Sequence, residues 1–189
     1  MTLDLSRHAA EVAPELLGAV LHGPNGSGRV VEVEAYGGDD DEASHAFDGA
    51  TGRNAPMFGP PGTLYVYLIY GLHHCANVVT GPEGEGQAVL IRAIEPVGDQ
   101  RRMEEARPVT RPFELTNGPG KLCQALGIDR SHSGLALLRD PAVGPVALRP
   151  ALTMAAEPIV RSTRIGISRA PDREWRWYLD GNRWVSRTR

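Results

Sequence analysis

Two carboxylates and a phenol alternate along one short apolar segment of the sequence. Residues 29–36 are rich in Val and predict a β-strand with Glu32, Glu34 and Tyr36 on one face. A solvent-facing strand would explain this pattern, because Glu is usually exposed. The other interpretation is a Glu held in a pocket beside Tyr36, where a carboxylate can activate water.

A second candidate region is an aromatic hairpin. A Pro-Pro-Gly turn precedes the strand predicted for residues 64–70, and Gly71 ends that strand. Residues 75–80 can return antiparallel to it. The pattern therefore predicts a β-hairpin with Tyr70 at or near its tip.

The phenol rings of this hairpin suit a flat ligand. Strand alternation puts Tyr65 and Tyr67 on one face together with Ile69. Sheet packing explains a single tyrosine, but the segment also holds other polar and aromatic side chains, namely His73, His74 and Asn77. Because tyrosine stacks well on planar rings, the cluster favours a binding site.

Two cationic side chains stand where an anion could bind. Residues 87–95 predict a central strand that is apolar on both faces except at Arg92, and a buried Arg must pair with or face an anion. Residues 117–121 place backbone N–H groups and Lys121 at the start of a predicted helix, which suits an anion. A capped helix with a solvated Lys explains that segment equally well.

A chain of 189 residues can bury one substantial core, so we expect one domain. Its 22 Gly and 15 Pro predict short elements. The N-terminal segment predicts a helix over residues 4–22 that Pro14 could split in two, followed by a turn over 22–28 and an ordered loop over 37–62. Two further helices are expected over 99–107 and 116–128. Strands are expected over 143–148 and 155–160, and a hairpin over 175–186 that turns at 180–182.

Charge is unevenly distributed, although the net charge is only −3. Residues 32–48 hold seven acidic side chains and no Lys or Arg, whereas residues 161–189 hold eight Arg and three acids. A basic face could follow phosphates, or the Arg side chains could simply be solvated. Two cysteines are too few for a disulfide framework, which fits a reducing cytoplasm. No apolar run of membrane-spanning length and no signal peptide is evident.

Several common chemistries do not fit the sequence. His45, His73, His74 and Cys75 are metal-binding residue types, but their spacing matches no zinc site. No Gly-x-Ser-x-Gly motif, phosphate-binding glycine loop or dinucleotide fingerprint occurs. We therefore expect no metal and no cofactor. What remains, a carboxylate among aromatic rings, suits an enzyme that holds a flat, electron-poor base or activates water.

Nine motifs occur in one order over nearly the whole chain. They include Val-Glu-Val-Glu-Ala-Tyr and Gly-Thr-Leu-Tyr-Val-Tyr-Leu-Ile-Tyr-Gly, and they lie at residues 31–36, 43–45, 51–54, 57–58, 62–71, 75–78, 89–96, 118–126 and 184–186. In this combination the sequence resembles the alkyladenine (3-methyladenine) DNA glycosylase family of the mammalian type.

The resemblance implies a fold and an activity. The fold is a single mixed α/β (α+β) domain over residues 1–189, with a curved antiparallel β-sheet, a protruding β-hairpin and peripheral helices. The activity is that of a monofunctional glycosylase of base-excision repair, which flips alkylated or deaminated purines out of double-stranded DNA and hydrolyses the N-glycosidic bond. The implied bases are 3-methyladenine, 7-methylguanine, hypoxanthine and ethenoadenine. We expect a monomer with no membrane partner, located in the cytoplasm at the nucleoid.

The resemblance also implies a role for each matched residue. Glu34 corresponds to the base that activates water, and Arg92 to a residue near that water and the phosphate of the flipped nucleotide. Asn77 corresponds to a residue that screens out guanine through its amino group. The implied base pocket consists of Tyr36, His45, Tyr67, Asn77 and Leu90. Tyr70 and Leu72 would intercalate, and the expected DNA-backbone contacts are Arg53, Lys121 and Arg164.

The sequence departs from the family pattern at the hairpin, and two other functions stay open. Leu72 stands where mammalian members have Met, and His73 and His74 replace aromatic residues. One alternative is a non-catalytic nucleic-acid-binding module with the same basic and aromatic face, which leaves Glu34 unexplained. The other is a lyase-type glycosylase with Lys121 as amine nucleophile, although the usual helix-hairpin-helix setting is missing.

Overall fold

The computed structural model describes residues 3–138, 140, 142–151 and 155–186, and an antiparallel β-sheet organises them. The strands are β1 (Val20–Gly23), β2 (Gly26–Tyr36), β3 (Leu64–Ile69), β4 (His73–Thr80), β5 (Gln87–Val97), β6 (Ala147–Arg149), β7 (Ile159–Ser162) and β8 (Arg176–Leu179). Their main order is β3-β4-β5-β2-β1-β6, while β8 pairs with both β2 and β7. Strand β2 is therefore the strand on which the sheet branches.

Short helices surround this sheet. The α-helices are α1 (Ala9–Val12), α2 (Arg101–Ala106) and α3 (Pro119–Leu126), and 3-10 turns cover Ala13–Leu16, Gly38–Asp40, Ala55–Phe58, Pro112–Glu114 and Arg130–His132. The expected fold class, α+β around a curved antiparallel sheet, is confirmed. None of the helices in the described part of the chain has the length and apolar character that crossing a bilayer requires.

The two faces of the sheet carry different packing. One face forms the main apolar core with the N-terminal segment and α3, and Leu64 and Val66 of β3 point into it. The other face forms a smaller cluster in which Tyr65 packs with Ala46 and Met57 of the long loop. The alternation of strand side chains therefore directs the tyrosines of β3 away from the main core.

Strand β2 is irregular at Glu32. Its pairing with β5 shifts register on both sides of Glu32, which lies opposite Ala93, while Glu34 lies opposite Leu90. The same residues pair with β8, Glu32 with Tyr178 and Glu34 with Arg176. Such irregularities re-aim side chains within a sheet. This one lies where the carboxylates of β2 meet the cationic residues of its neighbours.

Two element predictions near the N-terminal half need correction. Residues 4–22 form two short helical pieces followed by β1, because Pro14 ends the α-helical hydrogen bonding and the chain continues as a 3-10 turn. The strand predicted over residues 87–95 is longer than expected, because β5 continues through Pro96 to Val97. There Pro96 faces Gly28 of β2, and β4 pairs with β5 only as far as Leu90, so its missing N–H breaks no ladder.

The C-terminal predictions were less accurate. The expected strand over residues 143–148 is reduced to β6, and the strand expected over 155–160, next to residues outside the described part, begins only at Ile159. The chain does turn at residues 180–182, but Trp184 to Ser186 form no strand. Strand β8 pairs with β7 and β2 instead of with the tail. The alternation of hydrophobic residues correctly predicted strand β8, but it did not predict that β8 pairs with β7 and β2.

Candidate active site

A cavity of about 540 Å³ opens on the face of the sheet that carries the tyrosines. Its walls come from β2 to β5, the long loop, the start of α3 and the segment after β7. All five residues expected in the base pocket line it, together with Tyr70, Arg92 and Lys121; the five are Tyr36, His45, Tyr67, Asn77 and Leu90. A mostly apolar cavity with a few convergent polar groups is typical of a ligand site.

Glu34 lies directly behind the wall of this cavity and is fully buried. Its Oε2 accepts hydrogen bonds from the Tyr36 hydroxyl at 2.9 Å and from Nη1 of Arg92 at 3.1 Å. Its Oε1 accepts the backbone N–H of Ile165 at 2.7 Å. All three donors belong to residues that line the cavity. The solvent-facing interpretation of this strand face is therefore wrong.

Glu32 is the second buried carboxylate of the strand. Its Oε1 accepts from Nε of Arg92 at 3.2 Å, from Nε of Arg176 at 2.7 Å and from the Ser186 hydroxyl at 2.7 Å. Its Oε2 accepts the Ser186 N–H at 2.7 Å. Arg92 thus joins two carboxylates, and Glu34, Arg92, Glu32 and Arg176 form a continuous buried network of alternating charge.

Aromatic rings form the cavity walls. The His45 ring lies edge-on to Tyr67 at 4.5 Å between centroids, and its Nδ1 lies 3.1 Å from the Tyr65 hydroxyl. Tyr65 and Tyr67 are tilted by 32° at 5.7 Å. The guanidinium of Arg164 covers the ring of Tyr36 at 4.9 Å. These rings support one another, so the cavity has preformed planar walls.

Burial also sets the protonation of the wall residues. Burial raises the pKa of Tyr67. It also raises the pKa of Tyr36, and the nearby Glu34 carboxylate adds to that effect. Burial, and to a smaller extent the charge of Arg53, lowers the pKa of His45. The aromatic side chains of the walls are therefore neutral near pH 7, and the tyrosines keep their hydroxyl protons.

Asn77 and Leu90 lie side by side on adjacent strands β4 and β5. The Nδ2 of Asn77 donates to the carbonyl oxygens of Tyr65 at 3.0 Å and Cys75 at 3.3 Å. This arrangement fixes the orientation of the amide, so its Oδ1 is the end left for other contacts. Both residues are buried and line the cavity.

The predicted hairpin is formed by β3 and β4, with Tyr70 at its tip. Tyr70 and Gly71 both have positive φ, 53° and 67°, as a type I′ turn requires, and the Leu72 N–H closes the turn on the carbonyl of Ile69 at 3.1 Å. Tyr70 is 83% exposed and Leu72 is 77% exposed. A tyrosine with left-handed backbone geometry is unusual. Two large side chains of apolar character, Tyr70 and Leu72, exposed at one tip are also unusual for a protein surface.

The three expected backbone contacts differ in position. Arg53 is exposed and donates to the Leu68 carbonyl at 3.1 Å, near the hairpin. Lys121 lines the cavity, and its Nζ lies 2.7 Å from Oδ1 of Asn117. The assignment of Arg164 to the DNA surface is wrong, because its side chain is buried in a bidentate pair with Asp41. Burial of its charge is possible only through that pair.

Part of the expected basic C-terminal face is likewise internal. Arg176 is buried on Glu32, and the Arg173 guanidinium donates to the Asp40 carbonyl and covers the Trp175 ring. Arg161 donates to the Glu174 carbonyl. Arg164 and Arg176 of the Arg-rich segment are therefore internal, whereas Arg161 is exposed and Arg173 is partly buried.

Sequence reasoning missed the residues that hold Glu34 and Arg92 in place. The Ile165 N–H could not have been found, because a backbone donor leaves no signal in residue type. Arg176 and Ser186 could have been noticed, since each is a polar residue in an apolar aromatic context near Trp177 and Trp184. Within the described ranges no group of three or more His, Cys, Asp or Glu is arranged to hold a metal ion.

Comparison with known proteins identifies the family of this chain. A model of the methylpurine-DNA glycosylase family matches residues 4–183. The chain therefore belongs to this family, whose members are DNA-repair hydrolases.

Proteins whose names assign them as 3-methyladenine DNA glycosylases are similar over nearly the whole chain. One from Burkholderia cenocepacia is 47% identical over 186 residues, which cover 96% of this chain and 87% of that protein. One from Methanoculleus marisnigri is 49% identical over 187 residues, or 96% and 95% of the two chains. One from Rhodopseudomonas palustris is 47% identical over 182 residues, or 96% and 85%. The chain is thus a DNA glycosylase of the methylpurine type, and its macromolecular substrate is DNA.

Proposed function

We propose that this glycosylase flips alkylated or deaminated purines, such as 3-methyladenine, 7-methylguanine, hypoxanthine and ethenoadenine, into the cavity and hydrolyses them off with water activated by Glu34. The observation that carries this proposal is the position of Glu34. It is a buried carboxylate oriented by three donors, and each donor belongs to the wall of an aromatic cavity. A carboxylate in that place can accept a proton from water at the reacting carbon.

The hydrogen bonding of Glu34 leaves room for such a water. A carboxylate offers about four acceptor sites, two on each oxygen. Tyr36 and Arg92 use two on Oε2, whereas Ile165 uses one on Oε1. The remaining site on Oε1 would bind the water, and Glu34 would take its proton as the oxygen attacks the anomeric carbon. Positive charge that develops on the sugar would be stabilised by the same carboxylate.

The aromatic walls suit the bases themselves. Alkylation at a ring nitrogen makes a purine cationic, and cationic rings are attracted to the faces of aromatic side chains. Tyr36, His45 and Tyr67 supply such rings, and the lowered pKa of His45 keeps this ring neutral beside a positive base. Cationic purines leave readily, whereas neutral ones such as hypoxanthine depend more on the activated water.

The hairpin tip and two cations would hold the DNA. A base inside a duplex is out of reach, so it must be flipped at a cost of a few kcal/mol. Tyr70 and Leu72 are exposed beside the cavity mouth and would fill the gap that the base leaves. Arg53 near the hairpin and Lys121 at the start of α3 are the proposed phosphate contacts. In that role Lys121 is not the amine nucleophile of a lyase, and the product is a plain abasic site.

The proposal is tested by Glu34→Gln in single-turnover assays on duplexes with one hypoxanthine or one 7-methylguanine. The amide keeps the shape but cannot accept a proton, so we expect hypoxanthine excision to fall by about 10²–10⁴. Excision of 7-methylguanine should fall less, and lesion-DNA binding should stay within a few-fold of wild type.

Two results would contradict the proposal. A Glu34→Gln variant within a few-fold of wild type on hypoxanthine would remove Glu34 from the role of base. A wild-type protein that binds lesion DNA but releases no base would favour the non-catalytic binding module. The Asp39→Asn variant, which changes an exposed acid of the same acidic stretch, serves as the control.

A further inference from the structure

Glu32 is buried, charged and absent from the cavity wall, and it needs an explanation. It accepts four hydrogen bonds, from Arg92, Arg176 and both donors of Ser186. Buried ion pairs are weak evidence for a stabilising role, because well-packed apolar residues often replace them without loss. The position of Glu32 next to Arg92 therefore points to a role in the chemistry of Glu34.

Arg92 is shared between two carboxylates through different nitrogens. Its Nε lies on Glu32 and its Nη1 lies on Glu34. A guanidinium can otherwise form a bidentate pair with a single carboxylate. With Nε on Glu32, Arg92 contacts Glu34 through Nη1 at Oε2, and Oε1 keeps the acceptor site proposed for water.

Glu32 is itself fixed from the far end of the chain. Arg176 of β8 lies on Oε1, and the Ser186 N–H lies on Oε2. Two carboxylates and two guanidiniums leave the network with no net charge. Glu32 can therefore hold Arg92 in one orientation without moving toward it.

We propose that Glu32 is a positioning residue for catalysis. It binds Nε of Arg92, so that Arg92 contacts Glu34 only through Nη1 and Glu34 remains free to accept a proton from water. This inference rests on the proposed role of Glu34. Without the charge of Glu32, Arg92 turns fully onto Glu34 and occupies its remaining acceptor site.

The test compares excision of hypoxanthine with excision of 7-methylguanine by Glu32→Gln under single-turnover conditions. Hypoxanthine depends on activated water more than the cationic base does. We expect its rate to fall by roughly tenfold more than the 7-methylguanine rate, a part of the 10²–10⁴ that general base catalysis supplies. A loss of folded protein would lower both rates by the same factor and leave their ratio unchanged.

A matched control is Glu95→Gln, which changes a partly buried carboxylate on the adjacent strand β5. Glu95 pairs with Arg29 at 2.5 Å and contacts neither Arg92 nor the cavity. Its ratio of rates should equal that of wild type. A Glu32→Gln ratio equal to the Glu95→Gln ratio would overturn the inference.

Two further variants separate the possible failures. If Glu34→Gln itself leaves the ratio unchanged, the proposed base is wrong. If Glu34→Gln shifts the ratio and Glu32→Gln does not, only the positioning role is wrong. Should Glu32→Gln fail to fold, Ser186→Ala decides, because it removes one donor at 2.7 Å and keeps the charge. We then expect a smaller shift of the ratio in the same direction, and an unchanged ratio would overturn the inference.

Discussion

At the scale of single residues, Asn77 combines a structural contact with a free polar end. Its Nδ2 is held by two backbone carbonyls, and that restraint also fixes the orientation of its Oδ1 in a residue that lines the cavity. If Asn77 screens the base, as we propose, its restrained amide would leave no space for a substituent that adenine and hypoxanthine lack. The exocyclic amino group of guanine is such a substituent.

Replacement of Asn77 by Ser should therefore change selectivity. We expect Asn77→Ser to raise excision of guanine-type bases, including undamaged guanine, without a matching gain on hypoxanthine. The physical reason is steric, because Ser is smaller than Asn and leaves space for the exocyclic amino group of guanine. The measurement is the ratio of guanine to hypoxanthine excision on otherwise identical duplexes.

One result would contradict this prediction for Asn77→Ser. If a folded Asn77→Ser variant keeps the wild-type ratio, Asn77 only links β3 and β4, and guanine is excluded elsewhere. Thr80→Ser is a suitable control, because Thr80 lies on the same strand, is fully buried and does not line the cavity.

Residue types were sufficient to single out the polar groups at the cavity but not the residues that hold them in place. Glu34, Tyr36 and Arg92 could be predicted, because a charged or phenolic side chain in an apolar strand is conspicuous. Arg164 was misplaced because an Arg in a basic segment looks solvated whether or not a distant Asp pairs with it. Its partner, Asp41, is 123 positions away in the sequence. Such pairings depend on the fold and leave no local signal.

At the scale of elements, the β3–β4 hairpin is built to project. Positive φ at Tyr70 is a strained conformation for a tyrosine, and the adjacent Gly71 shares the turn. Strain of this kind persists only where surrounding structure enforces it, and it is common at functional sites. Here it directs an exposed ring away from the sheet.

Tyr70→Ala should weaken binding to lesion DNA and slow excision. Stacking of an aromatic side chain on a base is worth about 1–3 kcal/mol, so the affinity should fall by about 5- to 150-fold. Titration of a lesion duplex by fluorescence anisotropy measures the affinity, and single-turnover excision measures the rate. Tyr70→Phe, which keeps the ring, should behave like wild type. Equal affinities and rates for the Ala variant and wild type would mean that Tyr70 has no part in intercalation.

Elements were predictable where turn chemistry is local. Gly71 and Gly127 correctly mark the ends of β3 and α3, and Gly127 has the left-handed φ of 74° that a helix C-cap uses. The start of α3 was expected at residue 116, which is too early, because Gly118 is the N-cap. Asn117 instead accepts from Lys121. The failures elsewhere concern strands whose partners lie far away in the sequence.

At the scale of the whole molecule, the Asp41–Arg164 pair joins the long loop to the C-terminal segment. Arg164 also covers Tyr36 and Trp175, and the next residue, Ile165, donates to Glu34. Burial alone raises the pKa of Asp41, but the hydrogen bonds and charge of Arg164 outweigh it and hold that pKa below its usual value. The pair thus couples the stability of the fold to the geometry of the site.

Asp41→Asn should destabilise the protein by about 3–5 kcal/mol at pH 7, because it leaves a buried guanidinium without its charge partner. A carboxyl whose folded-state pKa is lowered stabilises the fold above its unfolded pKa, about 3.9. That contribution is lost as the pH falls through the lower folded-state value. The difference between wild type and variant should therefore narrow below about pH 3.9.

Urea unfolding from pH 7 downward measures this difference. Asp40→Asn is the matched control, because Asp40 is the exposed neighbour and lies 3.7 Å from Arg173. We expect it to cost well under 1 kcal/mol. An equal loss of stability for the two variants would show that the buried pair does not stabilise the fold.

The branching of the sheet at β2 also sets an order of events during synthesis. Glu32 and the Ser186 that caps it are 154 positions apart, and a ribosome needs roughly 8–30 s to add that many residues. Until these residues are added, the nascent chain already contains Glu32 and Glu34 of β2 but lacks their partners Arg176, Ile165 and Ser186. The buried network therefore closes last, when residue 186 leaves the ribosome. Shorter nascent chains lack Ile165, which donates to Glu34, and the donors that fix Glu32, so the arrangement of both carboxylates is complete only after translation has passed that point.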